Sequence, residues 1–269
     1  MLDRGILYQA QRNNDPAFPF RKIKDHLNQA DLLFGNLESV ISDKGFDQGG
    51  PYSFRAPPKM MEGLLLADFD VVSIANNHSF DWTVDALVDT EERLKKEGIV
   101  PVGGGLDAYS PQIIEINDQS IAFIAHTAVG APGWAATETT PGVAWYNRER
   151  LKESIKEVEK EVNLIVFSIH YGVEYQPKPN QNQIDISKNA IDMGVDLVIG
   201  HHPHVIQPVE EYGGGIIAYS LGNFIFDQSF SRETMEGLLL EVDVKDGEVL
   251  NYKERVIPLN ENFQPHLPN

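Results

Sequence analysis

The 269-residue chain contains no cysteine. That excludes disulfides, thiolate metal sites and a cysteine nucleophile, and it leaves the compartment open. Basic residues are scarce: 22 Lys and Arg stand against 40 Asp and Glu, a formal charge of −18. A surface so acidic repels nucleic acid and anionic membranes, so polyanion binding by net charge is disfavoured and no nucleic-acid partner is expected. An anionic ligand would need a local positive centre, which a metal ion can supply. Long apolar runs are missing too, since none approaches the roughly 20 residues that span a bilayer, and no signal-peptide pattern is visible. Internal repeats, low-complexity tracts and linkers are absent, so one domain over residues 1–269 is expected.

What is present is a succession of short apolar runs bounded by turn residues and separated by helical patterns, the mark of an α/β arrangement. Strands are expected at 31–38, 71–75, 164–169 and 195–199, with a hairpin around Asn117-Asp118. Helices are expected at 58–67, at 83–97 with Thr83 as N-cap and Gly98 as stop, at 147–161 and at 183–193. The Gly, Pro and Thr-rich segment 127–146 reads as a long loop over a site. Beyond it, short strands are expected at 205–209, 216–220, 237–244 and 248–258. A two-sheet α/β sandwich accommodates this order, with a single doubly wound sheet as the rival. The opening Met1–Leu7 reads as the tail of a strand running into a loop.

The most informative stretch is Gly200-His201-His202-Pro203-His204, directly after the apolar run Val195–Ile199. Imidazole is the commonest protein ligand for transition metals, and the end of a buried strand holds side chains in fixed geometry. Pro203 argues for an extended segment, with His202 and His204 on one face and His201 on the other. Other strand ends carry polar groups as well: Asn36 and Glu38, Asn76-Asn77-His78 with Asp81, and His170 followed by Glu174. Taken singly, each has an ordinary reading: a histidine-rich turn, a polar strand exit, a helix cap or a hydrogen-bonded turn. Together they indicate a common crevice, because the strand ends of one sheet converge.

Five segments in order resemble the CapA family. They are Asn36-Leu37-Glu38, Ala75–Asp81, His170-Tyr171-Gly172-Val173-Glu174, Gly200–His204 and Tyr219-Ser220-Leu221-Gly222-Asn223-Phe224. These are bacterial capsule proteins linked to poly-γ-glutamate synthesis and built on the calcineurin-like metallophosphoesterase fold. The resemblance implies a four-layer α-β-β-α sandwich with one or two metal ions (Mn, Zn or Fe) at the strand ends. It implies Glu38, Asn77, His170, His202 and His204 as metal ligands, and His78 as general acid or substrate-binding imidazole oriented by Asp81. Asn36, Arg55, Glu174, His201 and Asn223 are the candidates for contact with substrate.

Two departures stand out. Gly35-Asn36 lies where metallophosphoesterases carry Gly-Asp, so Glu38 becomes the candidate bridging carboxylate. Family members also open with Gly-Asp ahead of a short apolar run and Arg-Gly. This chain begins inside that motif, so the first strand and its Asp ligand are expected to be missing and the metal to be held weakly or not at all.

Three roles remain open at this point. One is metal-dependent hydrolysis of a phosphoester or related anionic group. Another is non-catalytic holding of poly-γ-glutamate or of other capsule-synthesis proteins. The third is cleavage or transfer at the polymer's amide bonds. The resemblance also implies a cell-surface location with a membrane anchor in full-length members.

Overall fold

A computed structural model describes residues 1–268. The first sheet has three parallel strands in the order β1 (Phe34–Asn36), β2 (Val71–Ser73), β3 (Val100–Val102). The second has six: β4 (Gln112–Ile116), β5 (Gln119–Thr127), β6 (Leu164–His170), β7 (Leu197–His201), β8 (Val209–Tyr212) and β9 (Gly215–Ala218). Their spatial order is β8-β9-β7-β6-β5-β4. The central four run parallel, and β4 and β8 close the edges antiparallel. A long antiparallel hairpin, β10 (Glu236–Lys245) and β11 (Glu248–Pro258), completes the chain.

Three apolar layers explain the stacking. Val71 and Val102 of the first sheet, with Ala75 just past β2, share one buried cluster with Phe123, Val166, Leu197 and Ile199 of the second, so the two sheets pack face to face. Helices α1 (Arg4–Arg12), α2 (Met61–Leu66) and α3 (Thr83–Lys96) cover the outer face of the first sheet through Ile6, Leu64 and Leu87. Helices α4 (Arg148–Val158) and α5 (Gln181–Asp192) cover the second through Leu151, Ile155, Ile186 and Ala190. The result is the four-layer α-β-β-α sandwich. A single doubly wound sheet is excluded because Val71 and Phe123 meet across an interlayer instead of along one ladder. Strands covered on both sides read as unbroken apolar runs, as Leu164–Ile169 does.

Local signals account for most element ends. Asn147 caps α4 by accepting from the amides of Glu149 and Arg150, and Asn180 with Gln183 forms a capping box on α5. Gly98 ends α3 at φ +83, as expected of a C-terminal stop. Thr83 is not the N-cap: it is the first helical residue, with φ +70, and Trp82 holds the cap position without a side-chain bond. Residues 205–209 are not a strand, since pairing starts only at Val209.

The opening segment also departs from expectation. Residues 4–12 form a helix that buries Ile6 and Ala10, so Ile6-Leu7 belongs to an amphipathic helix face. No strand is formed by Met1–Leu7.

Candidate metal centre

All the parallel strands of both sheets point their C-terminal ends the same way, and the polar residues after them meet there. Glu38 follows β1, Asn77 and His78 follow β2, His170 ends β6, and His202 and His204 follow β7. Register fixes part of the arrangement, because His170 pairs directly with His201 across β6 and β7. Gly200 is needed just before the run: a Cβ there would lie 2.1 Å from the Tyr219 carbonyl oxygen.

Glu38 sits at the centre, 6% exposed. Its Oε1 lies 3.6 Å from His204 Nε2 and 3.9 Å from His170 Nε2, while its Oε2 accepts from Asn36 Nδ2 at 3.2 Å. The His170 and His202 rings are 4.9 Å apart, and those of His202 and His204 are 6.0 Å apart. Glu38, His170 and His202 can converge ligand atoms on one point, as can Glu174, His202 and His204. Sharing His202, the two sets describe adjacent positions.

Several of these atoms are buried and bonded to nothing: Glu38 Oε1, both nitrogens of His170, His202 Nδ1 and Asn77 Oδ1. A buried polar atom without a partner costs about 1–3 kcal/mol, and one such atom each from Glu38, His170 and His202 lies within 4.8 Å of the others. A divalent cation would satisfy these three together, and mixed imidazole and carboxylate donors suit such an ion. The residues present therefore fit the metal that the fold leads one to expect.

Electrostatics agree. Burial pushes the Glu38 carboxyl upward, but His204, His78 and His202 outweigh it and hold Glu38 below its ordinary value. Burial, then the neighbouring histidines, drive His170 well below the ordinary imidazole value, so it presents neutral nitrogen. Burial likewise lowers His202. Glu38 as a carboxylate and His170 as a neutral imidazole are the states in which these two groups can ligate.

The histidine turn is not extended. His202 has φ +99 and His204 φ +57, both left-handed, and Tyr175 nearby has φ +61. Such conformations cost about 1–3 kcal/mol each and persist only where neighbours over-determine them. The Tyr175 amide donates to the Pro203 carbonyl at 2.8 Å, and His204 Nδ1 bonds Asn223 Oδ1 at 2.9 Å. The tight turn brings both imidazoles to Glu38, so the convergence has a different cause from simple strand alternation.

Beside the cluster, His78 Nδ1 bonds Asp81 Oδ2 at 2.7 Å, and the same oxygen accepts from the Phe54 amide at 2.8 Å. The Phe54 ring lies 4.2 Å from the His78 ring. Asn76 is structural: its amide donates to the Leu37 carbonyl at 2.9 Å and its oxygen accepts from the His78 amide, tying β1 to β2.

Two candidate residues lie elsewhere. The Arg55 guanidinium stacks 3.5 Å over the Trp82 ring and donates to the Lys44 carbonyl, which occupies it outside the cluster. His201 is buried on the interlayer side, 6.3 Å from the Phe34 ring, and burial lowers its pKa to about 4. Glu174 is exposed at the rim, while Asn36 and Asn223 buttress Glu38 and His204.

Three residues that the sequence reading did not single out also shape the site. Tyr175 stacks over His204, Phe226 packs edge-on to it, and Gln228 links Asn223 to the Tyr175 hydroxyl. No motif marks them, and only their position in the fold does.

Comparison with known proteins decides the family. Residues 1–228 match the model "Bacterial capsule synthesis protein PGA_cap". The chain belongs to this family. The PGA biosynthesis protein CapA of Bacillus subtilis is 30% identical over 257 residues, covering 93% of this chain and 67% of that protein. The capsule biosynthesis protein CapA of Bacillus anthracis is 31% identical over 254 residues, covering 90% of this chain and 61% of that protein. The chain thus spans about two thirds of the length of these relatives.

Among solved structures, a hypothetical protein from Thermus thermophilus superposes with TM-score 0.57 at 14% identity, covering 87% of this chain and 90% of that one. A structure from Staphylococcus aureus described as a 5′-nucleotidase, in complex with alpha-ketoglutarate, gives TM-score 0.50 at 17% identity, over 78% of this chain and 40% of that one. These likenesses establish the calcineurin-like phosphoesterase fold.

Proposed function

We propose that this capsule-family protein serves poly-γ-glutamate or capsule synthesis as a metal-dependent hydrolase of a phosphoester or related anionic group. The observation that carries the reading is the set of buried, unpartnered ligand atoms on Glu38, Asn77, His170 and His202. With His204, these residues hold one or two divalent ions, Mn, Zn or Fe. A bound divalent ion supplies Lewis acidity and lowers the pKa of water.

The chain's own residues do the rest. Asp81 accepts from His78 Nδ1 and so fixes the ring, leaving Nε2 free to hand a proton to a leaving oxygen. Phe54 and Phe226 flank His78 and His204 with apolar rings, which keep water from the buried side of the cluster. Glu174 at the rim repels a second anion, so only a ligand carrying its charge toward the ion is favoured.

The same reading places the protein at the cell surface, as one domain acting on an anionic substrate beside other capsule-synthesis proteins. No helix among the described residues is long and apolar enough to cross a membrane. The test is the manganese-loaded protein on aryl phosphate mono- and diesters, beside His78→Asn. Turnover in the parent, with loss of about 10²-fold or more in kcat and unchanged manganese affinity in the variant, is the expected result. No turnover by the loaded parent on either ester overturns the hydrolase reading.

A further inference from the structure

One cation stands beside the Glu38 cluster without belonging to it. Arg4 opens α1, and its backbone is left-handed, with φ +53. A non-glycine residue keeps such a conformation only where its neighbours over-determine it. The neighbour here is Asp227, whose side chain is 8% exposed. Asp227 Oδ2 accepts from the Gly5 amide at 2.9 Å and lies 3.3 Å from Arg4 Nε. Gly5 is required for this contact, because a Cβ there would lie 2.8 Å from the Asp227 Cβ.

The carboxylate thus grips the guanidinium at Nε. Neither Nη is hydrogen-bonded among the described residues, and the Arg4 side chain is 42% exposed. Arg4 Cζ stands 5.4 Å from the centre of the Phe54 ring and 6.0 Å from that of Tyr52, so two aromatic rings flank it. With Nε tied and both Nη groups free, the side chain presents a fork of N–H donors that matches a carboxylate or a phosphate.

Its position links this fork to the metal centre. The Phe54 ring that Arg4 touches is also 4.2 Å from the His78 ring. Asp227 stands in sequence between Phe226, which packs edge-on to His204, and Gln228, which bonds Asn223 and the Tyr175 hydroxyl. One short segment therefore sets both His204 and Arg4. Arg4 nevertheless pairs with Asp227 and with neither Glu38 nor Glu174 among the described residues, so its fork lies beside the cluster and not within it. Glu174, next to His202 and His204, repels an anion at that edge. A second anionic group arriving with the first is thus turned away by Glu174 and received by Arg4.

We propose that Arg4 binds a second anionic group of the substrate, a carboxylate or phosphate on the same molecule as the group held at the ion. Arg4 is then a specificity-determining residue, Asp227 is the residue that positions it, and the substrate class is a molecule with two separated oxyanions. This role rests on the metal-centred reading above, yet it requires binding alone and no hydrolysis.

The experiment is calorimetry on the manganese-loaded protein with two phosphonates, whose carbon–phosphorus bond resists hydrolysis. Methylphosphonate carries one anionic group, and phosphonobutyrate adds a carboxylate at the other end of its chain. The parent should bind phosphonobutyrate at least about tenfold more tightly. Arg4→Gln should lose that advantage and keep its affinity for manganese and for methylphosphonate. Arg55→Gln should match the parent, because the Arg55 guanidinium is taken up by Trp82. Equal affinity of the parent for the two phosphonates overturns the proposal. So does an advantage that survives Arg4→Gln, or one that Arg55→Gln removes as fully, since net charge would then account for it. Loss of manganese or methylphosphonate affinity in Arg4→Gln overturns it too, and makes Arg4 a support of the metal centre. An Arg4-dependent advantage without ester turnover would defeat the hydrolase reading and leave this role standing.

Discussion

His204 Nδ1 and Asn223 Oδ1 lie 2.9 Å apart, and this contact determines which nitrogen of His204 faces Glu38. The Asn223 amide nitrogen donates to Gln228 Oε1 at 3.0 Å and to the Thr234 carbonyl at 2.9 Å, so its oxygen is left as the acceptor. His204 therefore carries its proton on Nδ1 and turns the Nε2 lone pair toward Glu38. Replacing Asn223 with Ala frees both the tautomer and the ring. Manganese or zinc affinity should fall about 10–100-fold by calorimetry, with the fold retained. Asn223→Asp should not rescue it, because its second oxygen would face the Thr234 carbonyl. Unchanged affinity in Asn223→Ala would remove His204 from the ligand set.

Glu38 separates binding from stability. In the metal-free protein its carboxylate is buried with Oε1 unpaired, an arrangement that costs free energy. Glu38→Gln keeps the shape and the Asn36 contact and removes the charge. The metal-free thermal midpoint should stay level or rise, while the increase in midpoint on adding manganese should disappear. A variant that loses metal-free stability and keeps the manganese response would show Glu38 to be structural.

Much of the candidate site is legible in sequence because each ligand-type residue directly follows an apolar run. Parallel strands with covered faces produce that pattern, and their ends converge by topology alone. The aim of the histidines is not legible. Pro203 argues locally for an extended chain, whereas Tyr175 and Asn223, distant in sequence, hold His202 and His204 in left-handed conformations. Arg55 shows the same limit, since its stacking on Trp82 is a long-range contact with no local signature. The opening helix was within reach: Leu2, Ile6 and Ala10 recur every four residues and all three are buried, the spacing of a helix face.

His126 sits on β5, wholly buried between Tyr109 and Phe167, and neither ring nitrogen has a partner. Burial lowers its pKa to about 3. The fold keeps it neutral while the unfolded chain takes up a proton below about pH 6.5, so its contribution to stability falls as pH drops from 6.5 toward 3. Between pH 6.5 and 5 that amounts to about 2 kcal/mol. His126→Phe removes this linkage. Its denaturant midpoint should fall less between pH 7 and pH 5 than the parent's, and equal slopes would show that His126 is protonated in the fold.

Asp89 shifts the other way. Its side chain is buried on α3, where Arg93 Nε donates to Oδ2 at 2.8 Å, Ser42 Oγ donates at 2.6 Å and Lys44 Nζ lies 3.0 Å from Oδ1. Burial works against the charge, but these three partners prevail and hold the pKa at about 2. A carboxylate depressed in the fold contributes stability above its unfolded pKa, near 4, and loses it as pH falls from 4 toward 2. The difference corresponds to about 2 kcal/mol at pH 7. Asp89→Asn should lower stability by about that amount in urea melts at pH 7, and the gap from the parent should close toward pH 2. Because Ser42 and Lys44 follow the Val40–Ile41 segment, the loss should loosen the join between α3 and the segment that leaves Glu38. Exchange of the Ile41 amide, bonded to Thr90 Oγ1 at 2.9 Å, should therefore quicken in the variant while amides on β6 and β7 stay protected.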